Sequence, residues 1–209
     1  ALQAQYRNSK VNFRGILLET IVSERSEKAL LPTVNSRPSL KNLTPTLTAS
    51  LRPFEGQPLY LRMMYKHTFR MPTFNDLYYT DMGNAYLKPE TATQYNLGIL
   101  YDIERNYHWF KFFKIGADIY YNDIDDKIVA YPKGQQFRWT MLNLGLVKIN
   151  GIDINTHLHF TLPRNFYLTA KVQYTYQTAI DVTDPNDSYY GHQIPYIPWH
   201  SGSAVGMFG

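Results

Sequence analysis

Cysteine is absent from this chain of 209 residues, so a disulfide framework and thiol catalysis are both excluded. Long apolar runs are absent too, because no stretch approaches the ~18 consecutive apolar residues of a membrane-spanning helix. The mean hydropathy of −0.37 is correspondingly modest. Clusters of basic charge are missing as well: the 21 lysine and arginine residues are scattered, and the net charge is only +4. Since nucleic-acid-binding proteins usually concentrate basic residues on one surface, we expect no nucleic-acid partner.

Catalytic and metal-binding motifs are also missing. The chain contains no G-x-S-x-G, P-loop, H-E-x-x-H or G-x-G-x-x-G sequence, so we expect neither an enzyme nor a resident cofactor. His157 and His159 are spaced for one face of a strand, but the further ligands of a closed metal site are not evident. The acidic group at 123–126 lacks the glycine and the distal glutamate of a calcium-binding loop. We therefore predict no metal site, and we interpret the acidic group as a polar strand end beside a loop.

Aromatic residues and an alternation with period two are what the sequence has in abundance. Tyrosine contributes 18 residues, and all aromatics together make up 15% of the chain. Within 91–104 the odd positions are mostly apolar or aromatic, whereas the even positions are mostly small or polar. The same alternation occurs in 43–53, 59–70, 113–122 and 166–178. Alternation at every second residue indicates β-strands with one apolar face.

Weaker strand signals lie between and beyond these segments. Residues 144–162 alternate less cleanly, and 201–209 has the pattern of one further strand. From Val11 to Arg25 the apolar positions change parity near Gly15, which predicts a β-bulge there. In total we expect about nine strands of roughly 10 to 17 residues, well above the usual length of about 5 to 6.

Short and long connections alternate along the chain. The short ones are 7–10, 54–57, 104–108 and 162–165, and the long ones are 27–42, 71–89, 127–143 and 182–198. Outer-membrane barrels have short periplasmic turns and longer extracellular loops. The pattern therefore predicts an all-β fold, an antiparallel meander of long strands that is part of a transmembrane outer-membrane β-barrel.

The two faces of this sheet are expected to differ in chemistry. We predict a lipid-side face that carries Leu97, Ile99, Ile115, Ile119, Leu168, Val172 and Tyr174. We predict an opposite, polar face that carries Gln94, Asn96, Lys114, Asp118, Lys171 and Gln173. Because charges on the polar face would be stranded in the dry interior of a small closed barrel, we expect an open sheet.

The most specific motif is FRMPTFNDLYY at 69–79, which is followed by GNAYLKPE at 83–90. Further along the chain come YYNDIDDKI at 120–128, KINGID at 148–153 and PYIPWH at 195–200. In this order, over about residues 40 to 205, these motifs resemble the barrel of TonB-dependent outer-membrane receptors.

The resemblance implies a parent receptor of about 22 strands with an N-terminal plug domain. Residues 1–209 are then expected to be a fragment of the receptor barrel with about nine strands, and the plug domain is absent from them. The implied function is TonB-dependent uptake of a scarce nutrient, such as a ferric siderophore or cobalamin, across the outer membrane of a Gram-negative bacterium. The implied partners are outer-membrane lipid, a small-molecule nutrient and the TonB complex, which acts through the plug region of the parent. A glycan-import receptor, a porin and a barrel enzyme are the alternatives.

The long loops supply the candidate ligand-binding residues. Tyrosine and tryptophan side chains offer a large contact area at low entropic cost, and their polar ends orient a ligand. We predict ligand contacts from Arg70, Asn75, Asp76, Tyr78, Tyr79, Tyr189, Tyr190, His192 and Trp199. The alternative is that these residues hold the rim of the barrel together.

Overall fold

The computed structural model describes residues 1–23, 40–79, 82–104, 109–133 and 138–209. These residues form one antiparallel sheet of nine strands, in which every strand pairs with its neighbours in sequence. The strands are β1 (Leu2–Arg7), β2 (Val11–Val22), β3 (Leu40–Leu51), β4 (Leu59–Arg70), β5 (Glu90–Glu104), β6 (Phe110–Lys133), β7 (Arg138–Thr161), β8 (Tyr167–Asp181) and β9 (His200–Phe208). Within the described ranges the helical segments are α1 (Phe74–Tyr78) and a single 3₁₀ turn (Pro163–Asn165). The predicted antiparallel meander is thus confirmed, and the sheet is open because β1 and β9 are not paired in the part of the chain described.

One predicted loop is a strand hairpin instead. The sequence pattern predicts a long loop at 127–143, whereas β6 and β7 are each 24 residues long and leave only 134–137 between them. The acidic group at 123–126 therefore lies inside β6 and not at a strand end. The ladder from Lys127↔Leu144 to Lys133↔Arg138 continues far beyond the membrane-crossing length of about 9–11 residues. The hairpin thus forms a platform at the loop end of the sheet.

The bulge predicted near Gly15 is wrong. The pairing of β2 with β3 runs without a shift from Val11↔Leu51 to Val22↔Leu40. The change of parity arises because apolar Ile16 and Leu18 lie on the polar face, and not because a residue is inserted. A register shift does occur elsewhere, between Phe110 and Phe112 in the pairing of β6 with β7.

The pairing confirms the two predicted faces. Leu97 lies opposite Ile119, and Ile119 lies opposite Ile152, so these apolar residues share one side of the sheet. Their neighbours on the other side are polar: Lys114 pairs with His157, which pairs with Lys171. The lipid-side residues are largely exposed in the sheet itself; Ile119, for example, is 52% exposed. In the described sheet this face is therefore not covered by a protein core.

Aromatic rings flank the apolar face at two levels. At one level Tyr95 lies between Tyr65 and Tyr121, with ring centroids 5.4 and 6.2 Å apart. At the other level the rings of Phe110 and Phe160 lie 5.8 Å apart. Ten residues of β6, 111–120, separate the two levels. That separation matches the ~9–11 residues with which a tilted strand crosses a bilayer, so the levels correspond to the two aromatic girdles of an outer-membrane barrel.

Glycine on the polar face allows side chains from non-adjacent strands to meet. Arg62 on β4, Gly98 on β5 and Asp118 on β6 lie in one row across the sheet. Because Gly98 has no side chain, the Asp118 carboxylate lies over it and its Oδ2 accepts a hydrogen bond from the Arg62 guanidinium at 2.9 Å. Gly151 has the same function one strand pair further on, where Tyr120 passes over it and its hydroxyl lies 3.4 Å from Gln177 Oε1.

We expect Ile119→Arg to destabilise the sheet in lipid, lowering its free energy of unfolding by about 2–4 kcal/mol, because the substitution places a charge near the middle of the apolar band. The measurement is reversible urea unfolding in vesicles. Gln173→Arg, on the polar face of β8, is the control and should change the stability by less than about 1 kcal/mol. Equal effects of the two substitutions would contradict the assignment of the faces.

We expect Gly98→Ala to cost about 1–3 kcal/mol, because the added Cβ collides with the Asp118 carboxylate and displaces the Arg62–Asp118 pair. The matched control is Gly206→Ala in β9, where an added Cβ meets no atom within 4 Å. The same urea titration measures both variants. Unchanged stability of the Gly98 variant would show that the crossing pair adjusts without cost.

Candidate functional site

The connection from β4 to β5 is held in a defined shape from its first residues. Pro72 has no N–H to donate to a strand ladder, and β4 ends just before it, at Arg70. Thr73 then forms a capping box with Asp76: the Asp76 N–H donates to Thr73 Oγ1 at 3.2 Å, and the Thr73 N–H donates to Asp76 Oδ2 at 2.8 Å. This box starts α1 and directs its one turn toward the β6–β7 hairpin.

The same connection is anchored on that hairpin by apolar and polar contacts. Leu77 and Leu87 are buried against Ile128 of β6. Asn143 of β7 accepts a hydrogen bond from the Lys88 N–H at 2.9 Å and donates one to the Lys88 carbonyl at 3.1 Å. Asn84 donates to the Met141 carbonyl at 3.0 Å. These contacts fix the position of the connection relative to the strands.

Glu90 is the charged centre of this region. Its carboxylate is buried and accepts three donors: the Arg70 guanidinium at 3.1 Å, the Ile128 N–H at 3.1 Å and Lys127 Nζ at 3.5 Å. Arg70 also lies 3.6 Å from Asp76, the capping residue of α1. One buried carboxylate therefore links the end of β4, the start of β5 and the extended part of β6.

The connection from β8 to β9 is shaped by turns in which an aspartate caps the backbone. Asp181, Asp184 and Asp187 each accept a backbone N–H two residues further on. Ile194 then returns to the sheet, where it is buried at 4% exposure against Val147 and Ala179. The connection is thus fastened to the sheet at Ile194, while 183–190 stay exposed.

A pocket of about 500 Å³ lies between this connection and the β6–β7 hairpin. Leu142, Leu144 and Ile194 provide its apolar surface. Its polar lining consists of Tyr131, Asp181, Asp187, Tyr189, His192 and Gln193. Tyr131 and Tyr189 approach edge to face with their ring centroids 6.4 Å apart. The volume falls within the range of about 300–1,000 Å³ that is typical of small-molecule sites.

The structure places the predicted site residues in four settings. Arg70, Asp76 and Tyr78 face the anchored first connection, where Tyr78 packs beside the buried Leu77 cluster. Tyr189 and His192 line the pocket, and Tyr190 lies between them in sequence with 43% exposure. The ring of Trp199 lies 6.4 Å from that of Tyr176, a residue of the lipid-side face. Asn75 and Tyr79 are exposed on the first connection.

Sequence reasoning missed several residues of this region. The sequence motif includes Glu90 only as its last residue. A carboxylate directly after Lys88-Pro89, at the start of a strand, was a signal that could have indicated an ion-pair partner. Tyr131 was assigned to a loop, because nothing in the local sequence indicated that β6 continues past Lys127. The His157 ring meets Phe112 of the neighbouring strand edge to face at a centroid distance of 4.6 Å, and the His159 ring stacks on Phe112 at 5.6 Å.

The described residues contain no group of three or more His, Asp or Glu side chains placed to hold a metal ion. Among the same residues, no helix has the length and apolar character needed to cross a membrane.

Comparison with known proteins identifies the family. The family described as TonB dependent receptor-like, beta-barrel matches residues 5–209. The chain belongs to this family. The description of this family as a β-barrel agrees with the antiparallel sheet of nine strands.

Two curated relatives match part of the chain. The vitamin B12 transporter BtuB of Vibrio vulnificus is 42% identical over 86 residues, which are 41% of this chain and 13% of that protein. The vitamin B12 transporter BtuB of Photobacterium profundum is 33% identical over 89 residues, 41% of this chain and 14% of that protein. The chain therefore aligns with only a small part of the length of these relatives.

Solved structures of this kind share the fold. The copper transporter OprC superposes with a TM-score of 0.76 at 17% identity, covering 99% of this chain and 31% of that one. The hemophore receptor HasR of Serratia marcescens gives 0.59 at 18% identity, with coverages of 97% and 39%. The FrpB iron transporter of Neisseria meningitidis gives 0.56 at 17% identity, with coverages of 85% and 25%. These likenesses establish the barrel architecture.

We expect Glu90→Gln to lower stability by roughly 1–3 kcal/mol, because the neutral amide keeps the shape but loses both ion pairs. Trypsin should also cleave faster after Arg70, at the start of the connection. The control is Glu55→Gln, whose partner Lys10 lies 2.7 Å away at a turn where the glutamate side chain is 80% exposed. That control should change stability by less than about 0.5 kcal/mol. Unaltered cleavage in the Glu90 variant would mean that the other contacts hold the connection without the Glu90 ion pairs.

Proposed function

We propose that this chain is the loop-bearing section of a receptor that imports a scarce nutrient by TonB-coupled transport, with cobalamin or a ferric siderophore as the nutrient. The observation that carries the proposal is family membership over 5–209. The partial relatives at 42% and 33% identity are both vitamin B12 transporters, which makes cobalamin the first nutrient to test.

The arrangement of the polar face favours a plugged receptor over a passive porin. A porin lumen is filled with water, and its inner surface is polar along the whole channel. Here the inner face becomes apolar toward the loop end, where Ala92, Ile124, Val147, Ala179 and Ile194 form a buried cluster. Two anchored connections also lie over this end of the sheet. A glycan-import receptor remains the alternative within the same family.

Membrane location and partners follow from the same proposal. The apolar face between the two aromatic girdles contacts lipid of the outer membrane of a Gram-negative bacterium. The TonB complex acts through a plug domain of the full-length receptor, which residues 1–209 do not include. In this arrangement the long connections face outward and meet the nutrient first.

Within these connections we propose two classes of residue. Tyr189, Tyr190 and His192 contact the nutrient, because they line or border an open pocket. Arg70, Asp76 and Tyr78 hold the β4–β5 connection in place. They affect the nutrient only by fixing the shape of that connection. Asn75, Tyr79 and Trp199 remain predicted contacts.

The test is uptake by the full-length receptor in cells that lack their own cobalamin and siderophore receptors. Radiolabelled cyanocobalamin and radiolabelled ferric siderophores are supplied in parallel, in strains with and without TonB. We expect saturable uptake of one nutrient that is lost in the strain without TonB. Equal uptake in both strains would indicate a passive porin, and lack of uptake of every nutrient in this panel would leave the glycan-import class as the better assignment.

A further inference from the structure

The pocket between the β8–β9 connection and the β6–β7 hairpin has an uneven charge distribution. Asp181 and Asp187 both line it, whereas no lysine or arginine lines it among the residues that the structure describes. Each aspartate uses its Oδ1 atom to cap the backbone, at 2.8 Å from the Thr183 nitrogen and 3.0 Å from the Tyr189 nitrogen. Within the described part of the chain, Oδ2 of each aspartate has no hydrogen-bond donor, so each carboxylate keeps one oxygen for a donor in the pocket.

The opposite part of the lining is aromatic and aliphatic. Tyr131 and Tyr189 meet edge to face, and Leu142 and Leu144 lie beside them. The hydrogen bond between the two tyrosine side chains is the main cause of a raised pKa of Tyr131, and the negative charge of Asp187 acts in the same direction. Tyrosine faces attract cations as well as apolar groups, so the rings and the carboxylates favour the same kind of ligand.

The pocket is also placed outside the membrane. Tyr131 lies ten residues beyond Tyr121 of the girdle along β6, roughly 33 Å at the rise of a β-strand. A ligand in the pocket therefore meets water on its open side and protein on the others. In such a site, pairing of opposite charges and contact between apolar surfaces both contribute to binding.

We propose that this pocket takes a part of the imported molecule in which a cationic group adjoins an apolar or aromatic body, and that it rejects anionic ligands. The inference rests on the proposed function, because it names the chemistry of the ligand for the same loop surface. It predicts that a ferric chelate with several negative charges is a poor ligand of this receptor, whereas a neutral or cationic nutrient is accepted.

The test uses two small probes with the same ring and opposite charge, phenethylammonium and phenylacetate, with the purified full-length receptor at neutral pH. Ligand-observed NMR measures both dissociation constants. We expect the cation to bind in the millimolar range and at least about tenfold more tightly than the anion. Tighter binding of the anion, or no measurable binding of the cation, would overturn the inference.

Asp181→Asn and Asp187→Asn remove the charges while the asparagine side chains still cap the turns. The double variant should bind the cation about tenfold more weakly and should bind the anion no more weakly than before. The matched control is Asp184→Asn, because Asp184 caps a turn of the same connection through the Asn186 N–H but does not line the pocket. A control variant that loses as much cation affinity as the double variant would show a diffuse charge effect and would overturn the assignment to this pocket.

The experiments distinguish failure of the pocket proposal from failure of the transport proposal. TonB-dependent uptake together with a preference for phenylacetate would refute the pocket chemistry and leave the transport function standing. A preference for phenethylammonium that depends on Asp181 and Asp187, together with lack of uptake of every nutrient in the panel, would support the pocket chemistry and refute cobalamin or siderophore transport.

Discussion

The antiparallel ladder is the constraint on which every other feature depends. Apart from the shift between Phe110 and Phe112, the strands pair without a change of register, and residues opposite each other place their side chains on the same face of the sheet. A single residue of slippage would exchange the lipid-side and polar faces. The row Leu97, Ile119 and Ile152 and the row Arg62, Gly98 and Asp118 are therefore two consequences of the same pairing. The ladder also pairs the backbone groups of neighbouring strands, which is the kind of hydrogen bonding that a strand in a bilayer requires.

Several charged side chains on the polar face form ion pairs with each other across the sheet. Arg62 reaches Asp118 over Gly98, and Lys114 Nζ lies 3.0 Å from Asp102 Oδ2 on the adjacent strand. The small residues between them matter as much as the charged ones, because a side chain at Gly98 would keep the pair apart. At the loop end, the buried carboxylate of Glu90 pairs with Arg70 and Lys127 and accepts a hydrogen bond from a backbone N–H. Ion pairs thus organise both the inner surface and the loop anchorage.

The two outer connections differ in how much freedom they keep. The first is fixed along most of its described length by a capping box, two buried leucines and the side chain of Asn143. The second is fastened at Ile194 and otherwise projects over the hairpin, with a pocket beneath it. A receptor that must recognise a ligand needs a rigid frame and an accessible surface. Here the frame and the surface are formed by different connections on a shared platform of β6 and β7.

The sequence by itself determined the strand alternation, the two faces, the number of strands and the family, because period-two chemistry and ordered motifs are local properties. It did not determine where β6 and β7 end. Their extension to 133 and from 138 depends on pairing between two segments that are each weakly patterned, so 127–143 was predicted as a loop. The role of Arg70 was likewise decided by tertiary structure, because its partner Glu90 is distant in sequence. The pocket exists only because Tyr131 and Tyr189, far apart in the chain, meet across the hairpin, and no local pattern encodes such a contact.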